Sequence, residues 1–168
     1  MSKEIRLTKG RVAVVDDDDY EWLSQYKWQT LQREDGSVAA MRKTSSREPP
    51  SKRTVFMHRA ITKAAPDMVV DHINHDTLDN RKCNLRVCTD SQNTKNCKAS
   101  KSNTSGYKGV SRYVDGKRWF AQITVNWKHF HLGIFDNKHD AARAYNEAAI
   151  IYHGDFCYLN HITEEEQA

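Results

Sequence analysis

Four polar residues near the middle of the chain, Asp71, His72, Asn84 and Asn93, are of types that support metal and proton-transfer chemistry. Asp71 offers a hard anionic oxygen and Asn93 a neutral one, a pair suited to Mg²⁺ or Mn²⁺. A neutral imidazole such as that of His72 can take a proton from water near pH 7. An activated water beside a cation that neutralises phosphate oxygens is what phosphodiester hydrolysis needs. Together the four residues predict that reaction.

The elements that must position these side chains are readable between Met68 and Lys98. Apolar residues before Asp71 predict a strand, NLRVC predicts a second strand after a long polar loop, and Thr89 or Asp90 can begin a helix as its N-cap. Such a strand-loop-strand-helix unit brings the Asp-His pair, Asn84 and Asn93 towards one point. Taken singly, each residue is more typical of a turn, a cap or a loop anchor.

The order of these motifs resembles that of the HNH endonucleases, in the phage and intron-encoded group whose last motif residue is Asn. The matching segments are V-D-H-I-N at Val70–Asn74, L-D-N-R at Leu78–Arg81, N-L-R at Asn84–Arg86, and Asn93. The resemblance implies that Asp71 and Asn93 bind a divalent metal, that His72 is the general base, and that Asn84 orients the loop through backbone hydrogen bonds. It also implies products with a 5′-phosphate and a 3′-hydroxyl.

Other residues around this motif have less certain roles. Arg81 and Arg86 are candidate phosphate contacts. His58 recurs in the same subgroup, where packing against the hairpin is the first interpretation and a substrate contact the second. His75 stands where relatives often have Gly, so it either tightens the loop or adds a DNA contact.

The distribution of charge along the chain favours a nucleic-acid partner more strongly than the net charge does. The 168 residues carry a net charge of +4, with 38% hydrophobic and 29% charged residues, which is typical of a globular protein. Ser91–Val114 contains no carboxylate, and its basic residues suit a phosphate backbone, although a solvated linker is the alternative. These residues are Lys95, Lys98, Lys101, Lys108 and Arg112.

Two further features bear on the environment of the protein. Cys83, Cys88 and Cys97 could hold a structural zinc, but their spacing matches no common ligand pattern, and free thiols are the preferred interpretation. The N-terminus lacks the apolar core of a signal peptide, and no stretch approaches the roughly 20 apolar residues of a membrane span. We therefore expect no membrane association and a cytoplasmic protein, phage-encoded in a bacterial host.

The N-terminal residues predict a β-rich segment. EIRLT and RVAVV read as strands on either side of the turn Lys9-Gly10, and Asp16–Asp19 are expected to cap a helix that carries Trp22, Leu23, Tyr26 and Trp28. From Arg33 to Arg53 the sequence turns polar, with a hairpin signal at Asp35-Gly36 and a loop at Ser45–Ser51.

A separate C-terminal unit is predicted after the polar segment KASKSNTS. GYKGVSRYV, KRWFAQITV and KHFHLGIF read as three strands, and Asn137–Tyr152 as a helix that Gly154 ends. The expected helix face and the expected core residues are Ala141, Ala144, Tyr145, Ala148, Ala149 and Tyr152, with Phe120, Ala121, Ile123, Phe130, Leu132 and Phe135.

The motifs Y-K-G-V, W-x-A-x-I, L-G-x-F and A-A-R-A-Y-N-E-A-A, within Gly106–Asn160, resemble the ethylene-response-factor (Apetala-type) DNA-binding domain. The resemblance implies a sheet that enters the major groove. The positions that match family contacts are Lys108, Arg112, Trp119, Gln122, Thr124, His129 and His131. Thr or His replaces several family arginines, so the base preference is not transferable.

Some of these positions have alternatives. Trp119 is either buried beneath the helix or in contact with a sugar or base. His129 and His131 share one face of a strand and could form a metal pair, but without a third ligand a DNA-facing surface is preferred.

The predicted architecture is α+β: a ββα-metal HNH unit with an N-terminal β-rich extension, followed by a three-stranded antiparallel sheet packed on one helix. The expected domains are residues 1–56 (β-rich segment), 57–98 (HNH unit), 99–105 (linker) and 106–161 (DNA-binding domain). We expect a metal-dependent endonuclease on double-stranded DNA, of the phage homing type, that nicks as a monomer or cuts both strands as a homodimer. The alternatives are a non-enzymatic DNA-binding regulator and an RNA-directed or structure-selective nuclease.

Overall fold

The computed structural model describes residues 1–34, 36–45 and 53–163, and the chain divides into two compact units, Met1–Asp90 and Ser91–Ala168. The fold is a mixture of small antiparallel sheets and a few helices. Asp35 of the expected hairpin and Ser46–Ser51 of the expected loop lie outside the described residues.

The chain begins with a two-stranded antiparallel sheet, as predicted. Strands β1 (Ser2–Arg6) and β2 (Val12–Asp16) pair over their full length. Lys9 and Gly10 in the connecting 3-10 turn both have positive φ, at 61° and 67°. A left-handed pair of this kind reverses the chain tightly, which explains the glycine.

Helix α1 (Asp17–Ser24) begins directly after β2. Asp17, Asp18 and Asp19 lie in its first turn, where carboxylates favour the helix dipole. The prediction that Asp16 caps the helix is wrong, because its side chain makes no capping hydrogen bond. Its Oδ2 instead accepts the backbone N–H of Lys82 at 2.7 Å.

Helix α1 is also shorter than predicted, since Tyr26 and Trp28 both lie beyond its end. The indole of Trp28 is 1% exposed and donates to the carbonyl of Leu23 at 2.8 Å. The last carbonyls of a helix have no partner within the helix. Trp28 thus satisfies one of them while it fills the core.

A second, three-stranded sheet has the order β3-β4-β5, formed by β3 (Gln29–Gln32), β4 (Val38–Lys43) and β5 (Thr54–Phe56). The short helix α2 (Met57–Thr62) follows at once. Strand β4 lies inside the stretch expected to be polar loop. It pairs on both edges and buries Ala39 and Ala40 at its centre, so tertiary packing outweighs its polar flanks.

The antiparallel hairpin of β6 (Val69–His72) and β7 (Leu85–Cys88) carries the motif residues. Its long loop is fixed to β2, because Val14 N–H donates to the Leu78 carbonyl at 2.9 Å and Asn80 N–H donates to the Val14 carbonyl at 2.7 Å. The hairpin and the N-terminal strands also share one core. Its members include Ile5, Val15, Leu23, Trp28, Met57, Val70 and Leu85.

Helix α3 (Asp90–Lys95) starts at the division between the two units. From Ser91 onward its residues belong to the C-terminal unit, where the Lys95 carbonyl accepts the Tyr158 N–H at 3.3 Å. The segment expected to be a linker is likewise ordered against this unit. Ser105 is 7% exposed, and its Oγ donates to the Val110 carbonyl at 2.9 Å.

The C-terminal unit has the predicted three strands and helix. Strands β8 (Val110–Arg112), β9 (Trp119–Val125) and β10 (Lys128–Phe135) form an antiparallel sheet in the order β10-β9-β8, on which α4 (Lys138–His153) packs. The Asn137 side chain caps α4, and Gly154 follows its end with φ of 55°.

Small residues allow α4 to lie close to the sheet. Its buried face consists of His139, Ala141, Ala142, Tyr145, Ala148 and Ala149. A Cβ on Gly109 would lie 2.0 Å from the Tyr145 ring, so only glycine fits there. Some expected core and helix-face residues lie elsewhere. Phe120 stacks on His131 at 4.8 Å between ring centroids, Phe130 and Tyr152 stack on each other and are 41% and 46% exposed, and Ala144 is only half-buried.

Candidate active site

Asp71 lies at the end of β6 directly opposite Arg86 on β7. Its Oδ2 accepts both Nε and Nη2 of that guanidinium, at 2.9 and 2.6 Å. The side chains are only 9% and 14% exposed, so the ion pair is shielded from solvent. Such a charge-assisted pair holds the carboxylate in one orientation. Arg86, a candidate phosphate contact, therefore contacts Asp71.

His72, the next residue, is 7% exposed and lies opposite Leu85 in the hairpin register. Successive side chains of a strand point to opposite faces, so His72 and Asp71 occupy different sides of β6. Burial lowers the pKa of His72, although a hydrogen bond with Asn80 and the charge of Asp71 act in the opposite direction. The imidazole is therefore neutral near pH 7.

His58, on α2, packs edge-on against His72 with 5.3 Å between ring centroids and stacks on Phe56 at 5.5 Å. Burial, then the neighbouring His72, lowers the pKa of His58 to about 4. Its Nδ1 is buried without a hydrogen-bond partner. The structure agrees with the first interpretation of His58, as a packing residue of the hairpin.

The loop between β6 and β7 is held by Asn84, which is 5% exposed. Its Oδ1 accepts the Asn74 N–H at 2.9 Å, and its Nδ2 donates to the Asp79 carbonyl at 2.8 Å. One amide thus binds the backbone at two points of the loop, which keeps the segment after His72 in a single conformation.

Asp79 is a second fixed point of this loop. It is 4% exposed and accepts Nε and Nη2 of Arg81, both at 2.7 Å, together with the Asn74 side chain at 2.9 Å. Hydrogen bonds from Arg81 are the main cause of the lowered pKa of Asp79. Arg81 remains 40% exposed, so its outer face is open to solvent.

His75 adopts a left-handed backbone conformation, with φ of 64°, and its N–H donates to the His72 carbonyl at 2.9 Å. Glycine is favoured in this conformation because it has no Cβ. His75 thus lies in a tight turn whose backbone conformation is one that glycine favours.

The donor set suits a metal held by few protein ligands. Throughout residues 1–34, 36–45 and 53–163, no three His, Cys, Asp or Glu side chains form a metal-binding group. The Asp71 carboxylate supplies a hard oxygen of the kind that Mg²⁺ or Mn²⁺ binds, and water can supply further ligands. Asn93 is half-buried in α3, within the C-terminal unit.

The candidate DNA contacts of the C-terminal unit fall into different environments. Arg112 is exposed and lies over the half-buried Trp119, 4.0 Å from its ring centroid. Thr124 Oγ1 and His129 Nδ1 are 2.9 Å apart on the exposed surface. The remaining candidates are Lys98, Lys101 and His131, which are exposed, and Lys95, Lys108 and Gln122, which are half-buried.

Two features were not predicted from the sequence. The Asp71–Arg86 pair depends on the hairpin register, which residue types alone do not give. Trp127 is 95% exposed and has φ of 65° in the turn between β9 and β10. Its position in a two-residue hairpin turn, where glycine is usual, is a signal that the sequence did contain.

The remaining predictions concern thiols and membranes. Cys83, Cys88, Cys97 and Cys157 are free, and Cys83 and Cys97 are exposed. Among the described residues, no helix has the length and apolar character needed to cross a membrane.

Comparisons with known proteins cover the segment that carries the motif residues. Residues 55–95 match the family model described as HNH endonuclease. An uncharacterized HNH endonuclease of Acanthamoeba polyphaga mimivirus is 29% identical over 92% of this chain and 77% of that protein.

Two further relatives match over shorter stretches. APETALA2-like protein 2 of Oryza sativa subsp. indica is 44% identical over 32% of this chain, which spans only 12% of that protein. Protein 3.8 of Escherichia phage T7 is 37% identical over 35% of this chain and 49% of its own length. The chain thus carries an HNH endonuclease domain at residues 55–95, and it is an enzyme of the nuclease class.

Proposed function

We propose that the chain is a metal-dependent DNA endonuclease in which His72 is the general base. The observation that carries the proposal is a neutral, 7% exposed imidazole next to an oriented carboxylate at the end of one strand. A base and an anionic metal ligand on adjacent residues are what an in-line attack of water on a phosphodiester needs.

His72 accepts the proton of the attacking water in this proposal. Its lowered pKa keeps the ring unprotonated at neutral pH, and contact with His58 limits rotation of the ring. Asn84 contributes by holding the loop that follows His72, through its hydrogen bonds to Asn74 and Asp79. It is a positioning residue rather than one that touches the substrate.

Asp71 and Asn93 are the residues proposed to hold Mg²⁺ or Mn²⁺. The ion supplies positive charge against the phosphate oxygens and the departing oxygen. Arg86 orients the Asp71 carboxylate from the opposite strand, and Arg81, with its partly exposed guanidinium, is a candidate contact to the DNA backbone.

The C-terminal unit is proposed to be an Apetala-type reader of double-stranded DNA. Its support is the three-stranded sheet on one helix, the exposed Arg112, His129 and His131, and the similarity to the rice protein. Backbone contacts by the lysines of residues 91–114 add sequence-independent affinity. Thr or His stands in place of several arginines of the resembling family, so the base preference of that family is not transferred to this chain.

One metal site cuts one strand, so nicking by a monomer is the expected reaction, and double-strand cleavage requires a homodimer or two successive nicks. The similarity to a phage protein supports a phage-encoded homing endonuclease that acts in the cytoplasm of a bacterial host.

The test is conversion of supercoiled plasmid by the purified chain with Mg²⁺ or Mn²⁺, compared with His72→Ala and with a chelator. His161→Ala, at an exposed histidine of the C-terminal unit, is the matched control. We expect nicked DNA from wild type and from His161→Ala, and at least about a 100-fold slower reaction from His72→Ala, the usual contribution of a general base.

A plasmid that stays supercoiled with both metals, while gel shifts show binding, would contradict general nuclease activity. A library of random target sequences then separates an enzyme that requires a specific site from a regulator that never cuts.

A further inference from the structure

A cavity of about 330 Å³ lies within the C-terminal unit, beside the edge of β9 that β8 leaves unpaired. Its volume is at the lower end of the range of small-molecule sites. Helices α3 and α4 and the β9–β10 turn supply its walls. The lining includes Lys95, Lys108, Gln122, Asn126, Trp127 and His153.

Lys108 places a partly desolvated positive charge in this cavity. Its Nζ donates to the Lys95 carbonyl at 2.7 Å, and among the described residues no carboxylate pairs with it. Burial lowers its pKa. The Asn160 side chain holds the backbone of Lys108 by two hydrogen bonds. Its Oδ1 accepts the Lys108 N–H at 2.7 Å, and its Nδ2 donates to the Lys108 carbonyl at 3.0 Å. A fixed ammonium without a counter-ion is suited to an anion.

Trp127 forms one rim of the cavity. Neither the exposure of its side chain nor its backbone conformation is favourable for folding. Its indole is 95% exposed, and it and Asn126 both have positive φ, at 65° and 49°. Asn-Gly is the preferred pair in such a turn, and a bulky side chain there costs about 1 kcal/mol or more. An exposed indole in a strained conformation is suited to stacking on a planar ligand.

The remaining walls carry groups that form directional hydrogen bonds. Gln122 and Asn126 have side-chain amides, each with donors and an acceptor. His153 Nε2 lies 3.1 Å from the Thr124 carbonyl, while its buried Nδ1 has no hydrogen-bond partner. With Nε2 as the donor, Nδ1 is left as the unpaired acceptor of the ring, and an amino group reaches it only when the ring turns towards the cavity.

We propose that this cavity binds one unpaired nucleotide of the DNA substrate. The phosphate lies at Lys108 and Lys95, the edge of the base at the amides and His153, and its face on Trp127. The cavity thereby selects DNA that carries an extrahelical or easily extruded nucleotide. The inference rests on the proposed function in that DNA is taken to be the substrate.

The test measures binding of the full chain in EDTA, by fluorescence anisotropy, to a duplex with a single unpaired adenine and to the same duplex fully paired. Stacking of one base contributes about 1–3 kcal/mol, so we expect wild type to prefer the unpaired nucleotide by about 5-fold or more. Replacing that adenine by 2-aminopurine should show fluorescence quenching by the indole.

Trp127→Gly is the informative variant, because glycine favours the left-handed turn and keeps the hairpin folded. It should abolish the preference and the quenching while affinity for paired DNA changes little, and Trp127→Phe should restore part of both. Val114→Gly, at a 91% exposed apolar residue of the other hairpin, is the matched control and should behave as wild type. Lys108→Met should weaken binding of the unpaired nucleotide more than binding of paired DNA.

Equal affinity of wild type for the two duplexes, or an unchanged preference in Trp127→Gly, would overturn the proposal. A titration with deoxyadenosine monophosphate separates the sources of the ligand. Displacement of the 2-aminopurine signal at micromolar nucleotide would identify a free-nucleotide site instead, whereas a signal that persists into the millimolar range supports a nucleotide within DNA. Binding of neither duplex would contradict the proposed function itself, whereas nicking activity with no preference would contradict only this inference.

Discussion

The functional polar residues are buried in one unit and exposed in the other. In Met1–Asp90 the motif residues are buried, with Asp71, His72, Asp79 and Asn84 all below 9% exposed, and Asp71, Asp79 and Asn84 form hydrogen bonds within the hairpin and its loop. In Ser91–Ala168 the candidate contacts Arg112, Thr124, His129 and His131 are exposed on a sheet whose core consists of alanines and other apolar residues.

This difference separates two ways to build a functional site. A buried polar network forms the functional site and also stabilises the fold, so a substitution that disrupts the site also lowers stability. Exposed side chains on a rigid sheet can be replaced without loss of folding stability. We therefore expect substitutions in the first unit to alter activity and stability together, and surface substitutions in the second to alter binding alone.

The largest expected effect is that of Asn84→Ala. It removes one buried and one partly buried hydrogen bond and leaves the Asn74 N–H and the Asp79 carbonyl unsatisfied, which should lower the free energy of unfolding by about 2–4 kcal/mol. Urea denaturation and plasmid nicking should both report the loss.

Asn93→Ala is the contrast for that experiment. It should abolish nicking yet change the free energy of unfolding by less than about 0.5 kcal/mol, because alanine is favoured within a helix. If Asn84→Ala and Asn93→Ala had equal free energies of unfolding, that result would contradict the distinction between a positioning residue and a metal ligand.

Ala149→Leu tests whether the fold of the C-terminal unit depends on its apolar layer. Ala149 is fully buried between α4 and the sheet, so a larger side chain should destabilise this unit by about 1–3 kcal/mol. Glu147→Leu, at an exposed position of the same helix, should have little effect on the thermal unfolding midpoint. A stable Ala149→Leu variant would show that the layer is loosely packed.

His58 should make the first unit sensitive to acid. Its folded pKa of about 4 is below the usual value of 6.5, so the unfolded chain binds more protons and stability falls as pH decreases through this window. The loss should be about 1–2 kcal/mol between pH 7 and pH 4, with allowance for partial exposure of the ring. His58→Leu should flatten this dependence in urea titrations at pH 7, 5.5 and 4, and an unchanged slope would contradict the assignment.

The smallest effect on stability is expected for His129→Ala and His131→Ala. Both side chains are exposed, so unfolding free energies should change by less than about 0.5 kcal/mol. DNA affinity should fall about 3- to 10-fold if each contributes one contact. Anisotropy titrations at two salt concentrations measure this change, and a loss of stability without a loss of affinity would reverse the comparison.

Local sequence patterns predicted the parts of the fold that depend on local physics. Alternating apolar residues identified β1 and β2, and the small-residue periodicity and Gly154 identified α4 and its end. Strand β4 was missed because its stability comes from pairing on both edges, which its short apolar run does not reveal.

The motif similarly gave the identities of the site residues but not their partners. The pairing of Asp71 with Arg86 follows from register, and the hydrogen bond of Asp16 with the Lys82 backbone joins residues far apart in sequence. Both depend on tertiary structure, so no spacing rule would have found them.

The position of α3 limits how freely such a chain can be recombined during evolution. Asn93 and Lys95 lie on a helix whose contacts belong to the C-terminal unit, including the Lys95 carbonyl with Tyr158 and Lys108. If the DNA reader were exchanged at a junction after Lys98, the contacts that hold the helix of Asn93, the proposed metal ligand, would be lost together with the old reader. A junction before α3 would keep this helix with its reader, so that the proposed metal ligand Asn93 and target choice are inherited together.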